Sequence, residues 1–234
     1  MIWLGEVHDN PAHHRVQAEL VAQVAPAALV FEMLTPAQAA APQPSDRRDA
    51  EALDAALGWS GGPWPDWAMY APVFLAAPDA ALYGAARSQD DMRRAVENGA
   101  GTVFGDDAER FGLTDPLPPD EQSVREALQA AAHCDALPAD LLPGMVGAQR
   151  LRDADLAAAA LTALDETGGP VVVIAGSGHA RTDWGGPALL ARAAPDVAQF
   201  AVGQVEGEAA REAPYDAVMT AAAPGRGDPC AAFR

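Results

Sequence analysis

Three apolar stretches of the chain contain or lead into a glutamate or a histidine, and the densest such group is close to its start. The stretch LGEVHDNPAHH contains Glu6 and His8, VFEM contains Glu32, and VVVIAGSGHAR ends in His179 and Arg181. Carboxylates and imidazoles that converge on one cleft can bind a divalent metal ion, or can activate a water molecule by general acid and base catalysis. These five are the candidate catalytic residues, and all of them except the arginine are also candidate metal ligands.

The first of these stretches follows a predicted strand. Residues 1–4 are apolar, and Gly5 could turn the chain there at positive φ without steric cost. Glu6 and His8 would then lie at the carboxyl end of the strand. In an open parallel sheet this edge is where ligands bind, so the position itself indicates function.

The rest of the chain predicts an α/β fold with a mostly parallel sheet flanked by helices. Asn10 can cap a helix over 11–24 that begins with Pro11, and a second strand at 28–33 should lie parallel to the first. Helical patterns separate most of the later apolar runs of strand length, which is the alternation typical of parallel sheets. These runs are 80–86, 101–105, 170–179, 198–205 and 215–222.

Two stretches do not follow that alternation, and we expect them to form a smaller all-helical subdomain over the carboxyl edge of the sheet. They are 43–78 and 114–169, which leaves 1–42, 79–113 and 170–234 as three parts of the α/β core. The last helix of the subdomain should begin at Pro143 and end at Gly168, because proline suits a first helical position and glycine a C-cap.

Each candidate residue also has a structural explanation. Glu32 could be a buried carboxylate that pairs with a backbone amide or an arginine, since buried charge requires a partner. Glu6 and His8 could simply organise the first turn. We expect His13 and His14 on the first helix to be solvated or at the edge of the core.

An aromatic segment contains Trp59, Trp64, Trp67, Tyr70 and Phe74. Packing of the helical subdomain is the ordinary role for such residues, because aromatic side chains supply large buried areas. The same side chains could line a pocket for a flat aromatic cofactor.

Composition and sequence pattern argue against several other classes of protein. The net charge is −18 and there is no basic run, so we expect no binding to nucleic acid. No stretch approaches the length of about 18 apolar residues that a membrane helix needs. Cys134 and Cys230 are far apart and form no CxxC pair, so we expect neither a zinc site nor a disulfide framework. The start of the chain lacks a secretory pattern, which predicts the cytoplasm.

Five motifs in order resemble the ChaN family of bacterial haem-binding proteins, within the wider Tiki and erythromycin esterase superfamily. They are GEVHDNPAHHRVQ, VFEM, WAMYAPVF, GMVGAQRLRDADLA and VVVIAGSGHAR, and together they span nearly the whole chain. The resemblance implies a parallel α/β domain with a smaller helical domain. It also implies haem or iron handling, with haem taken up by a homodimer and held through a tyrosine.

The resemblance places haem near particular residues. Tyr70, Tyr83 and Tyr215 are the tyrosines available as iron ligands, and Tyr70 in the aromatic segment is the expected one, because a phenolate suits ferric iron. Trp67, His8 and His179 would be the other cofactor-binding residues. Since relatives commonly carry a lipoprotein signal, removal of such a signal would make the protein periplasmic or membrane-anchored instead of cytoplasmic.

Three hypotheses follow for function. The first is a ChaN-type haem-binding protein, with haem as suspected cofactor and partner. The alternative is a hydrolase, with or without a divalent metal, which by the same resemblance would use Glu6, His8, Glu32 and His179, with Arg181 steadying an anion. The third is an interaction module that keeps these residues without using them.

Overall fold

A computed structural model describes residues 1–228 and 230–231 of the chain. Its centre is a six-stranded sheet in which every pair of neighbouring strands is parallel, in the order β3-β2-β4-β1-β5-β6. The strands are β1 (Ile2–Glu6), β2 (Ala28–Phe31), β3 (Ala81–Gly84), β4 (Val171–Gly176), β5 (Phe200–Glu206) and β6 (Ala217–Ala221). The predicted α/β class with a parallel sheet is confirmed.

Helices cover both faces of the sheet, as a parallel sheet requires. They are α1 (Pro11–Val24), α2 (Pro36–Ala40), α3 (Ala50–Leu57), α4 (Trp67–Leu75), α5 (Gln89–Asn98), α6 (Ala100–Phe104), α7 (Pro119–Ala132), α8 (Leu142–Thr167) and α9 (Gly186–Ala193). Short 3₁₀ turns occur at Asp46–Arg48, Trp59–Gly61, Asp106–Ala108 and Ala139–Leu141.

The alternating side chains of the strands create two cores. Leu29, Phe31 and Ile174 face α1, α3 and α4, whereas Val30 and Val173 face α8 and its neighbours. The central strands β2 and β4 are buried along their whole length, which explains why both read as continuous apolar runs. Helices from both stretches that were assigned to the subdomain, 43–78 and 114–169, thus pack on the faces of the sheet. The division of the chain into a core and a subdomain stays a prediction.

The first strand and helix begin and end largely as predicted. The Asn10 side chain accepts a hydrogen bond from the Ala12 backbone and Pro11 is the first residue of α1. The prediction for Gly5 is wrong, because this residue is the fourth of five in β1 and makes no turn. A Cβ there would lie 2.7 Å from Oγ of Ser177. Glycine is therefore required because the residue that follows β4 passes close to it.

One predicted strand, 101–105, is wrong: these residues form α6 and the start of the following turn. A five-residue apolar run fits a strand or a helix, and here the flanking backbone decides between them. Gly99 and Gly105 on either side both have positive φ, which interrupts an extended chain. The short helix buries Ala100 in the core beneath α8.

The cysteine prediction is also wrong, because Cys134 and Cys230 form a disulfide with a Cα–Cα distance of 5.5 Å. The two residues are separated by 96 positions, and the sequence does not indicate that the C-terminal segment returns to the end of α7. This segment is also held by Arg226, whose guanidinium pairs with Asp9 and Glu206. Among the described residues, no helix has the length and apolarity needed to cross a membrane.

Candidate functional site

The three predicted strand ends meet at the carboxyl edge of the sheet. β4 lies between β2 and β1, so Glu32 after β2, Glu6 at the end of β1 and the loop after β4 are neighbours. Glu6 pairs in register with Gly176, and the backbone of Glu32 donates a hydrogen bond to Ile174. Topology therefore brings side chains together that are far apart in sequence. We call Glu6, His8, Glu32, Arg152 and His179 the Glu32 cluster.

Glu32 is the centre of this cluster, and its carboxylate is buried. One oxygen accepts a hydrogen bond of 2.7 Å from the backbone N–H of Gly176. The other lies 3.3 Å from Nη2 of Arg152 and 3.5 Å from Nε2 of His179. Burial alone would raise the pKa of Glu32, but the positive charges of His179, His8 and Arg152 outweigh burial and lower it to about 2. Glu32 is therefore an anion at any physiological pH.

His8 links Glu32 to Glu6. Its Nδ1 lies 2.7 Å from Oε1 of Glu6, and its Nε2 lies 3.9 Å from Oε2 of Glu32. Burial acts to lower the pKa of His8, yet the hydrogen bond with Glu6 and the charges of Glu32 and Glu6 raise it overall. One third of the His8 side chain is exposed, while Glu6 is fully buried. His8 is thus an imidazole fixed through Nδ1, and its Nε2 makes no hydrogen bond among the described residues.

A glycine makes room for this arrangement. A Cβ on Gly176 would lie 3.2 Å from Nε2 of His8 and 3.5 Å from Oε2 of Glu32. The first distance is tighter than an ordinary van der Waals contact, so a larger residue would push the imidazole out of position.

His179 is held from its other side by an acid that sequence reasoning missed. Nδ1 of His179 lies 2.7 Å from Oδ1 of Asp153, and Oδ2 of Asp153 lies 3.5 Å from Nη2 of Arg125. Burial acts to lower the pKa of His179, but the charges of Glu32 and Asp153 and the hydrogen bond to Asp153 raise it. Burial raises the pKa of Asp153.

The two residues that were missed, Arg152 and Asp153, are adjacent on α8. The motif GMVGAQRLRDADLA contained a signal, because four charged residues, among them Arg152 and Asp153, interrupt an Ala-rich and Leu-rich helix there. Arg181 was predicted to accompany the cluster, but its guanidinium pairs with Asp183 and stacks 3.8 Å from the ring centroid of Trp184.

Tyr70 lies beneath the cluster, on α4. Its side chain is fully buried, and its hydroxyl donates a hydrogen bond to Oε1 of Glu6. Burial and the charge of Glu6 raise the pKa of Tyr70 well above its usual range, so the phenol stays protonated. Trp67 nearby donates its indole N–H to the backbone of Ala50 and packs on Trp59.

The histidines of α1 are in the core, so the expectation of solvated or edge positions is wrong. His13 and His14 are each 1% exposed. His13 accepts a hydrogen bond from the backbone N–H of Val7, and Nδ1 of His14 lies 3.5 Å from Oε2 of Glu6. Gln17 on the next turn of the helix donates to the same carboxylate oxygen at 2.8 Å. These contacts fix Glu6 and, through it, His8.

A cavity of about 290 Å³ opens beside the cluster, and we call it the Trp64 cavity. Trp64 also lies against His8, with ring centroids 5.1 Å apart. The residues that line the Trp64 cavity include Glu32, Thr35, Trp59, Trp64, Arg87 and Arg152. Among the described residues, no three His, Cys, Asp or Glu side chains are arranged to hold a metal ion. The metal ligands expected from sequence thus remain a prediction.

Comparisons with known proteins agree with this architecture. The solved structure of ChaN of Campylobacter jejuni, described for its cofacial haem binding, is 18% identical with a TM-score of 0.64, over 93% of this chain and 85% of that one. The type III effector HopBA1 is 13% identical with a TM-score of 0.51, over 94% and 87% of the two chains. At these identities the similarity shows the fold alone. No match was found among curated proteins.

A family model described as haem-binding uptake, Tiki superfamily, ChaN matches residues 1–190. This range includes β1 to β4 and therefore every member of the Glu32 cluster. The chain belongs to the ChaN family of haem-binding uptake proteins in the Tiki superfamily.

Proposed function

We propose that this chain binds haem at the mouth of the Trp64 cavity, with Nε2 of His8 as the ligand of the iron. The observation that carries the proposal is the state of His8: Nδ1 is held at 2.7 Å by Glu6, while Nε2 makes no hydrogen bond among the described residues and belongs to a side chain that is one third exposed. A metal-binding histidine commonly donates its other ring N–H to a carboxylate, which fixes the ring and makes it a stronger base. His8 and Glu6 form such a pair.

The hydrogen bonds of the three tyrosines support His8 as the iron ligand. The hydroxyls of Tyr70, Tyr83 and Tyr215 each donate a hydrogen bond, to Glu6, Glu166 and the backbone of Ser177 respectively. Coordination by Tyr70 would require loss of a buried proton and of the bond to Glu6. We therefore prefer His8 to Tyr70, the ligand expected from the sequence.

The cavity offers suitable surroundings for the rest of a porphyrin. Trp64 and Trp59 supply flat apolar walls, and Arg152, a half-buried cation 3.3 Å from Glu32, keeps further N–H donors that can pair with a propionate. Arg87 lies on the same wall but is already paired with both oxygens of Asp155. Bound haem would supply a Lewis-acidic iron, and the chain would supply its ligand, its stacking surface and its counter-charge.

The size of the cavity supports a dimer. Small-molecule pockets are typically about 300–1,000 Å³, so a cavity of about 290 Å³ would leave much of a porphyrin outside. A second copy of the chain that brings its own haem would cover the exposed face, in agreement with the cofacial binding described for ChaN of Campylobacter jejuni. We expect haemin to convert the protein to a species of twice the mass in sedimentation experiments.

Haemin titration followed by absorbance tests the proposal. We expect a saturable shift of the Soret band in the wild type, which is lost in His8→Gln and kept in the matched control His133→Gln at the end of α7. Retention of the wild-type spectrum by His8→Gln, with its loss in Tyr70→Phe, would refute the assignment of His8.

We further propose that the bound haem is cargo, either for uptake, which the family description names, or for iron supply. The Cys134–Cys230 disulfide favours an oxidising compartment over the cytoplasm, because disulfides are rare where thiols are kept reduced. Fractionation of the native host, with an antibody against the chain, would decide between the two locations.

Hydrolysis is the second candidate, and the pair of Asp153 and His179 favours it. An acid 2.7 Å from Nδ1 orients the imidazole and supports its action as a general base, as in other catalytic dyads. In this reading Glu32 or His179 takes a proton from water. We expect slow turnover of an activated ester that His179→Gln abolishes and His133→Gln preserves, and unchanged turnover in His179→Gln would exclude it.

A further inference from the structure

Two elements of the fold are joined by the Cys134–Cys230 disulfide. One is α7, which ends at Ala132, two residues before Cys134. The other follows β6, and we call it the C-terminal segment; the structure describes it over 222–228 and 230–231. The chain has two cysteines, so reduction of this bond is the one thiol reaction that can change its covalent structure.

The C-terminal segment is bound next to His8. The guanidinium of Arg226 lies 2.7 Å from the carboxylate of Asp9. The side chain of Asn10 donates a hydrogen bond of 3.0 Å to the backbone carbonyl of Ala222. Asp9 and Asn10 directly follow His8 in the chain, so the segment helps to hold the loop between β1 and α1 that carries this histidine.

The other end of the disulfide is connected to the opposite side of the Glu32 cluster. Nη2 of Arg125 on α7 lies 3.5 Å from Oδ2 of Asp153. Oδ1 of Asp153 lies 2.7 Å from Nδ1 of His179, whose Nε2 lies 3.5 Å from Oε1 of Glu32. A continuous series of contacts thus leads from α7 to the cluster, and such contacts can carry coupling between distant positions.

The backbone beside the disulfide adopts a conformation that favours glycine. Cys134 and Asp135 have φ of 58° and 55°. Their N–H groups bond to the carbonyls of Ala131 and Ala130, which ends α7 in the way that a glycine usually does. Backbone of this kind persists only where surrounding contacts hold it, and it is typical of switch regions. The disulfide is one of the contacts that hold it here.

A reductant can reach this bond. Both cysteines are partly exposed, and the neighbouring residues 135–136 and 227–228 are exposed. Exposed disulfides are typically the labile and regulatory ones. A dithiol attacks one Sγ, forms a mixed disulfide and then closes its own disulfide. Two electrons and two protons pass to the cysteine pair, which becomes two thiols.

We propose that the Cys134–Cys230 disulfide is a redox switch for haem, which the oxidised chain binds tightly and which reduction by a dithiol releases. After reduction the C-terminal segment is free to leave Asp9, and α7 loses its covalent link to that segment. The supports of His8 and of His179 are then both weakened. This regulation, which rests on the proposed binding of haem at His8, couples release of the cargo to contact with a dithiol.

Haemin titration of the oxidised and of the reduced full chain tests the proposal. The chain is reduced with dithiothreitol, which is removed under nitrogen before haemin is added, because thiolates themselves bind haem iron. We expect the Kd for haemin to rise about tenfold or more on reduction. The control is Cys134→Ser/Cys230→Ser, whose affinity should equal that of the reduced wild type and should not respond to the same treatment.

Arg226→Gln tests the link through the C-terminal segment while the disulfide stays intact. The substitution removes the ion pairs with Asp9 and Glu206, so it should weaken haemin binding about fivefold or more in the oxidised chain. Arg211→Gln, in the exposed loop between β5 and β6, is the matched control and should leave the affinity unchanged. Arg226→Gln still decides the matter if the reduced chain or the double serine variant unfolds.

The ring protons of His8 and His179 give a second readout that needs no haem. Reduction should shift the nuclear magnetic resonance signals of both rings in wild type and of neither in Cys134→Ser/Cys230→Ser. Signals that shift while the oxidised chain fails to bind haemin would contradict the proposed haem function and confirm that the disulfide controls the cluster.

Three results would overturn the switch. These are equal haemin affinity in the oxidised and reduced chain, an equal effect of the reductant on the double serine variant, and equal affinity in Arg226→Gln and wild type. Haemin binding that is retained and does not respond to reduction would contradict the switch alone and leave the proposed function intact.

Discussion

Replacement of Glu32 by glutamine removes the negative charge that His8 and His179 share. Nε2 of His179 lies 3.5 Å from one carboxylate oxygen and Nε2 of His8 lies 3.9 Å from the other. A glutamine has nearly the same shape, and its amide oxygen can still accept the hydrogen bond from Gly176. The substitution therefore isolates the effect of charge, and we expect the pKa of both imidazoles to fall.

The distances set the size of this fall. Two unit charges 4 Å apart interact by about 4 kcal/mol at an effective dielectric constant of about 20. This energy corresponds to about 3 pKa units. His179 is 11% exposed, so the fall in its pKa should be the larger of the two, whereas His8 is one third exposed and screened by solvent, so its pKa should fall less.

Nuclear magnetic resonance measures the two titrations directly, through the carbon-bound ring protons of each histidine as a function of pH. Glu19→Gln is the matched control, because Glu19 is exposed on α1. A pKa of His179 that changes by less than about 0.3 units in Glu32→Gln would refute the electrostatic account of the cluster.

The same substitution changes how stability depends on pH. Glu32 has a pKa of about 2 in the folded chain against 4.5 in the unfolded chain, so its ionisation contributes about 3 kcal/mol above pH 4.5 that is lost as pH falls towards 2. The histidines act in the opposite sense, because their pKa is raised on folding. Their contribution is complete below pH 6.5 and is lost as pH rises through the folded pKa. Urea unfolding at several pH values should show a loss of stability in acid that is smaller in Glu32→Gln than in wild type, by the contribution of Glu32.

Three further substitutions test separate parts of the structure. Gly176→Ala should displace the His8 ring and weaken haemin binding by about tenfold with a small change in Tm, and equal haemin affinity would contradict the role of this glycine. Tyr70→Phe should lower the free energy of unfolding by about 1.5–3 kcal/mol, measured in urea, and leave the haemin spectrum unchanged. Joint replacement of Cys134 and Cys230 by serine should lower it by about 4–5 kcal/mol, because the disulfide closes a loop of about 100 residues, and urea curves that coincide would refute this.

Much of the sheet could be predicted because buried parallel strands appear in the sequence as continuous apolar runs. Apolar runs ending in polar groups predicted β1, β2 and β4, and their parallel order brought Glu6, Glu32 and His179 to one edge. Glu32 has two apolar residues on either side, which indicated a buried carboxylate. A buried carboxylate needs a partner, so the sequence singled out this residue.

Other features depended on tertiary contacts that no local pattern encodes. Arg152 and Asp153 were not among the predicted site residues, since the sequence does not show which face of α8 meets the sheet edge. Arg181 is near the cluster in sequence, and its guanidinium pairs with Asp183 two residues later, a contact that the sequence pattern did not predict. The return of the C-terminal segment to Cys134 is equally invisible, because the pairing spans 96 residues.

The measurement that tests the central claim most directly is chemical rescue of haemin binding in His8→Gly by added imidazole. The variant removes the proposed ligand and leaves space for the free base next to Glu6. We expect haemin to give no Soret shift with the variant alone and the wild-type ferric spectrum once imidazole is added, without such an effect in His133→Gly. A variant that binds haemin with the wild-type spectrum in the absence of imidazole would contradict the assignment of His8 as the iron ligand.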